Sequence, residues 1–116
     1  MSTQIYHNPR CSKSRATLDL LQEKGVQPEV RLYLDHPPSR AELEQVLAQL
    51  GLAATQLLRT GEDIYKELAA AYGEPDNATA LDWMAAHPKL IERPIVIHNG
   101  RARLGRPPQQ VLDILP

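Results

Sequence analysis

The chain has 116 residues, 42% of them apolar and 23% charged, with thirteen basic against fourteen acidic side chains. That length suffices for one domain with its own core, expected over residues 1–116, and falls short of two ordinary ones. The balanced charge excludes a large nucleic-acid footprint, and no apolar run nears the roughly 18 residues of a membrane span. The N-terminus lacks a secretory pattern, so a cytoplasmic protein with no nucleic-acid or membrane partner is expected.

Residues 3–6, TQIY, predict a brief buried strand ended by Asn8-Pro9. From Ser12 the pattern is helical, with Leu18 and Leu21 on one face until Gly25 stops it, which puts Cys11 at the helix start. EVRLYL, residues 29–34, alternates Val30, Leu32 and Leu34 with charged or aromatic residues, the period of a second strand. Strand, helix and strand together have the size of a parallel βαβ unit.

The next segment opens on a Ser39-x-x-Glu42 capping box and places Leu43, Val46, Leu47 and Leu50 at helical spacing. Residues 63–72 and 78–86 read as two more helices, separated by GEPDN, whose Gly, Pro and Asn suit a stop and a fresh cap. Gly51, Gly61 and Gly73 read as helix stops. A parallel crossover needs only about a dozen residues, so the stretch from about 36 to 90 is expected to be a helical insert. Asn99-Gly100 predicts a tight hairpin joining Ile95–His98 to Arg101–Leu104. RPPQQVLDIL then predicts a helix with Pro107 near its first position and Val111, Leu112 and Leu115 as its buried face. The order βαβ, helical insert, ββα describes an α/β domain with a mixed sheet.

The chemistry centres on YHNPRCSKSR, residues 6–15, which holds the single cysteine and flanks it with Arg10, Lys13 and Arg15. One cysteine excludes an intramolecular disulfide. Helix N-termini favour a thiolate over a thiol and also bind anions, so nucleophile and anion pocket would coincide at Cys11. Ser14 stands where a Cys-x-x-Cys pair would carry its second thiol, so any covalent state at Cys11 must be resolved by an outside thiol. The alternative is an inert, buried cysteine. Arg59 before Gly61, Arg93 before Pro94 and Arg106 before Pro107 are further candidates, since arginine can bind oxyanions through a planar fork, but each taken alone reads first as a solvated surface charge, and spacing does not show that they converge. His7 could move a proton near Cys11 or simply partner loop backbone. His36, His87 and His98 show no metal-ligand spacing, so no metal is expected. Trp83, at helical spacing with Leu81 and Met84, reads as packing.

YHNPRCSKSR, LLRTGEDIYKEL, HPKLIERPIVI and LGRPPQQVLDIL, in that order along nearly the whole chain, resemble the glutaredoxin-coupled arsenate reductases of the ArsC family. The resemblance implies a thioredoxin-like fold and a cis Pro94 facing the cysteine. It implies Cys11 as nucleophile and Arg59, Arg93 and Arg106 as the arginines on arsenate. His7, Asn8, Ser14, Arg15 and Pro94 match the substrate-binding surroundings. It also implies glutathione as co-substrate, glutaredoxin as partner and no bound cofactor. Two other functions stay open from the residues: a monothiol glutathione-dependent oxidoreductase acting on mixed disulfides, and an Spx-like regulator, against which Ser14 argues.

Overall fold

The computed structural model describes residues 2–115, which form two compact units, one running to His36 and resuming at Arg93, the other spanning Pro37–Glu92. The first is built on strand β1 (Thr3–Tyr6), which pairs in parallel with β2 (Glu29–Arg31) and antiparallel with β3 (Ile95–His98). β3 turns back through Asn99 and Gly100, at φ 56° and 77°, into β4 (Arg101–Leu104). These positive angles are what a two-residue hairpin requires and what Asn-Gly supplies at least cost. The sheet order is β2-β1-β3-β4, a mixed sheet of the thioredoxin-like kind.

Helix α1 (Ser12–Glu23) ends at Gly25, whose φ is 77°. Together with Ile5, Val96, Val111 and Ile114, its Leu21 forms the buried core of this unit, flanked by Leu18, Leu20, Val26 and Leu115. Each such fully buried side chain contributes about 1.5–3 kcal/mol.

Two expectations are corrected here. β2 stops at Arg31, and Val30, Leu32 and Leu34 are 44%, 37% and 40% exposed. The chain turns at Leu32, whose carbonyl accepts from the Asp35 and His36 amides, and Tyr33 is the residue that buries, stacking on Tyr6 at 6.3 Å. An edge strand followed by a turn loses the two-residue alternation that a full strand would keep. The C-terminal segment is a 3-10 helix, Pro108–Ile114, not an α-helix. At three residues per turn Val111 and Ile114 fall on one side and bury, while Leu112 is left exposed.

The second unit is helical: α2 (Arg40–Leu50), α3 (Ala54–Leu57), α4 (Asp63–Tyr72), α5 (Asn77–Ala86) and a short 3-10 helix, Pro88–Leu90. The capping box at Ser39 is present, and Gly51 closes α2 at φ 70°. α5 packs on α2 and α3 and buries Ala80, Leu81, Trp83 and Met84, while α4 has no fully buried residue and sets Tyr65 edge-on to the Trp83 ring. The cap of α5 is Asp76, which accepts from the Thr79 amide. Asn77 instead accepts from the backbone and hydroxyl of Thr55. Gly61 sits in the turn before α4 and stops no helix.

Candidate active site

Strand pairing gathers the candidate loops of the first unit at one end of its sheet. Tyr6 lies opposite Ile95, and Ile95 opposite Leu104, so β1 ends where β3 begins and β4 ends. Residues 7–11, the Arg93-Pro94 pair and Gly105-Arg106 therefore leave the sheet at the same edge. β2 ends there too: its Arg31 pairs with Tyr6, and the Arg31 carbonyl accepts from the His7 amide at 2.9 Å.

The cysteine loop is shaped by its own polar groups. The Asn8 carbonyl accepts from the Cys11 amide at 3.0 Å, and Asn8 Oδ1 accepts from the Arg10 amide at 3.0 Å. Ser14 is fully buried; its Oγ accepts from the Asn8 amide at 3.0 Å and shares a 2.7 Å hydrogen bond with His7 Nδ1. Arg15 Nη1 donates to the Pro9 carbonyl at 2.9 Å. His7, Asn8, Ser14 and Arg15 thus fix the loop from four directions. Cys11 itself is partly exposed and is the N-cap of α1, in extended conformation, with no side-chain cap and no acidic residue in the first turn. The first amides of a helix have no intrahelical partner, so this start is electropositive and suited to an anion. Burial, and next the Arg15 guanidinium, hold the His7 imidazole below its ordinary pKa of 6.5.

At the same end of the sheet, the Arg93–Pro94 and Arg106–Pro107 peptides are both cis. The first agrees with the resemblance; the second had no signal in the sequence. Pro94 is buried, and its carbonyl accepts from the Gly105 amide at 2.9 Å. Arg106 Nη1 donates to the Arg93 carbonyl at 3.1 Å, tying the two arginine loops together, and the Nε and Nη1 atoms of Arg93 are closed off from solvent. Two residues that the sequence reading passed over complete this end. Thr17 of α1 is fully buried, and its hydroxyl donates to the Lys13 carbonyl at 2.8 Å. Gly105 comes so close to Thr17 and Pro94 that a Cβ added to it would lie 2.4 Å from Thr17 Oγ1 and 2.7 Å from Pro94 Cγ. A glycine before Arg-Pro, with no helix to stop, was the only trace of this in the sequence.

Arg59 belongs to the helical unit. It follows α3, with its amide donating to the Leu90 carbonyl at 2.7 Å, its neighbour Leu58 bridging Ile91, and its guanidinium 3.5 Å from the Glu92 carboxylate. His36 caps a turn, His87 ends α5, and His98 shares a buried 2.7 Å hydrogen bond with Thr3 Oγ1, away from the Cys11 end of the sheet. Among the described residues no cluster of three His, Cys, Asp or Glu side chains could hold a metal, and no helix is long and apolar enough to cross a membrane.

Residues 6–114 match the family model described as the ArsC family. The chain is 54% identical to the uncharacterized protein YfgD of Escherichia coli K12, over 97% of this chain and 95% of that one. It is 48% identical to an arsenate reductase of Neisseria meningitidis, over 97% of each. The solved arsenate reductase of Vibrio cholerae superposes with a TM-score of 0.93 at 52% identity, covering 99% of this chain and 98% of the other.

Proposed function

The chain belongs to the ArsC family, and from that premise we propose that it is an arsenate reductase whose nucleophile is the Cys11 thiolate. The observation that carries this reading is the placing of Cys11 at an uncapped helix start, on the same sheet end as the Arg93-Pro94 and Gly105-Arg106 loops. The Cys11 sulfur attacks arsenic(V), forming a sulfur–arsenic bond as hydroxide or water leaves. Glutathione adds to the arsenic in place of a second oxygen. The glutaredoxin thiol then attacks the glutathione sulfur; the sulfur–arsenic bond breaks, its electron pair stays on arsenic as arsenic(III), and a glutaredoxin–glutathione disulfide forms. Water releases arsenite and returns the Cys11 thiol. Two thiols thereby supply the two electrons, and no metal or prosthetic group takes part.

Thiolate and arsenate are both anions and repel each other. In this reading Arg93 and Arg106 hold the oxyanion against the sulfur; the same role for Arg59 is taken from the resemblance alone, and the chain is one domain with a helical insert of about residues 36–90. Asn8, Ser14, Arg15 and His7 keep the Cys11 loop in the shape that presents the sulfur, and Pro94 forms the facing wall. Each arginine contact is worth about 2–4 kcal/mol in the transition state. The need for free external thiols places the protein in a reducing compartment, the cytoplasm.

The test is arsenate-dependent NADPH oxidation with glutathione, glutaredoxin and glutathione reductase, comparing the native chain with Cys11→Ser and Arg93→Ala. Turnover should be lost in Cys11→Ser and cut steeply in Arg93→Ala. No turnover by the native chain, with Cys11 still rapidly glutathionylated, would replace arsenate with mixed disulfides as the substrate.

A further inference from the structure

We infer that Gly105 and Thr17 form a positioning device for the site: their contact sets how far the Arg93 and Arg106 loops stand from the helix that carries Cys11. The inference rests on the reading of these arginines as oxyanion ligands. Three segments meet at one point, namely α1 at Thr17, the cis-proline loop at Pro94, and the end of β4 at Gly105. The hypothetical Gly105 Cβ would come within 3.0 Å of two Thr17 atoms and 2.7 Å of Pro94 Cγ, closer than real Cβ atoms approach anything. Gly105 has an ordinary φ, so glycine is required here for close approach and not for backbone freedom.

The contact is tied into both halves of the site. On one side, the Thr17 hydroxyl donates to Lys13 in the first turn of α1 and lies 3.5 Å from the Gly105 carbonyl. On the other, the Gly105 amide holds the Pro94 carbonyl, and the flanking residues are joined by the Arg106 to Arg93 hydrogen bond. Pushing Gly105 off Thr17 therefore moves Pro94, and with it both arginine loops, away from α1. Neither Thr17 nor Gly105 needs to touch substrate for this. Oxyanion chemistry is sensitive to such shifts, since a displacement of about 1 Å can cost on the order of a hundredfold in rate.

The experiment uses alkylation of the single cysteine, in which the Cys11 thiolate displaces iodide from a carbon to form a thioether. Iodoacetate carries a negative charge and reports the cation field around Cys11; iodoacetamide is neutral and reports only sulfur reactivity and access. Gly105→Ala should lower the iodoacetate-to-iodoacetamide rate ratio by about fivefold and raise the KM for arsenate by about tenfold, with the iodoacetamide rate nearly unchanged. Adding Thr17→Ala to Gly105→Ala removes the two closest Thr17 atoms but leaves the 2.7 Å approach to Pro94 Cγ, and should restore part of the ratio. An unchanged ratio in Gly105→Ala would overturn the inference, as would a lowered ratio that the second substitution fails to restore. Loss of the fold in both variants would also overturn it, because the contact would then hold the domain together and aim nothing. If the native chain turns over no arsenate, the proposed function fails but the alkylation ratio still decides this inference.

Discussion

Helices α1 and α2 both begin at an extended residue, Cys11 and Ser39, yet they treat their first amides in opposite ways. At α2 the Glu42 amide donates to Ser39 Oγ at 3.1 Å, and the Ser39 amide donates to Glu42 Oε1 at 3.0 Å. At α1 no side chain caps the helix, and the loop before it is tied down by Asn8, Ser14 and His7 acting on other groups. One start is closed and stabilises the helix. The other has its preceding loop tied by hydrogen bonds and its first amides left without a side-chain cap. α4 also lacks a side-chain cap, but it carries Asp63 in its first turn, a residue that repels anions. Absence of a cap is thus read as a site only at α1, where no acidic side chain stands in the first turn and the proposed nucleophile Cys11 is the N-cap.

The comparison is broken or sharpened most strongly at Arg93. Arg93→Lys keeps the charge but loses the planar fork, so kcat/KM for arsenate should fall about a hundredfold while the unfolding midpoint stays close to native. A rate near native would remove Arg93 from the anion site beside α1. Ser39→Ala examines the closed start: stability should drop by about 1 kcal/mol in urea unfolding, with arsenate kinetics unaffected. A comparable loss of activity would show that the two starts are not separable. Lys13→Glu places an acid in the first turn of α1 and should act with opposite signs on the two properties. It should stabilise the helix by about 0.3–1 kcal/mol while lowering kcat/KM by a similar factor, and both effects should fade with added salt.

The smallest effect concerns pH. Because burial and then Arg15 lower the folded pKa of His7 from 6.5, the unfolded chain takes up this proton first as the solution is acidified. The stability contributed by neutral His7 is complete above about 6.5 and is lost as the pH falls through the lowered folded value. Native protein should therefore lose more stability than His7→Gln over that window, measured as the difference in urea midpoints. Equal slopes in the two would show that the His7–Ser14 hydrogen bond does not depend on the neutral ring.

The sequence alone determined whatever depends on a few consecutive residues. Asn99-Gly100 forced the hairpin because both positions need positive φ; Ser39 and Glu42 fixed the start of α2; and the spacing from Ser12 to Gly25 put Cys11 at a helix start. It misled where a local period was cut short or changed. Val30, Leu32 and Leu34 alternate like a strand, but pairing to β1 ends at Arg31 and the turn at Leu32 sends Tyr33 inward instead. Val111, Leu112 and Leu115 suited an α-helical face, but a 3-10 turn buries Val111 and Ile114. The arginines were legible as residue types at constrained positions, and their assignment to oxyanion binding came from the resemblance. Only the tertiary structure decided that residues 7–11, 93–94 and 105–106 share one end of a sheet, because strand register joins segments about 90 residues apart and no short-range spacing encodes it. The need for glycine at position 105 is of the same kind. It is set by Thr17 and Pro94, side chains that reach it only once β1, β3 and β4 have paired and α1 has packed.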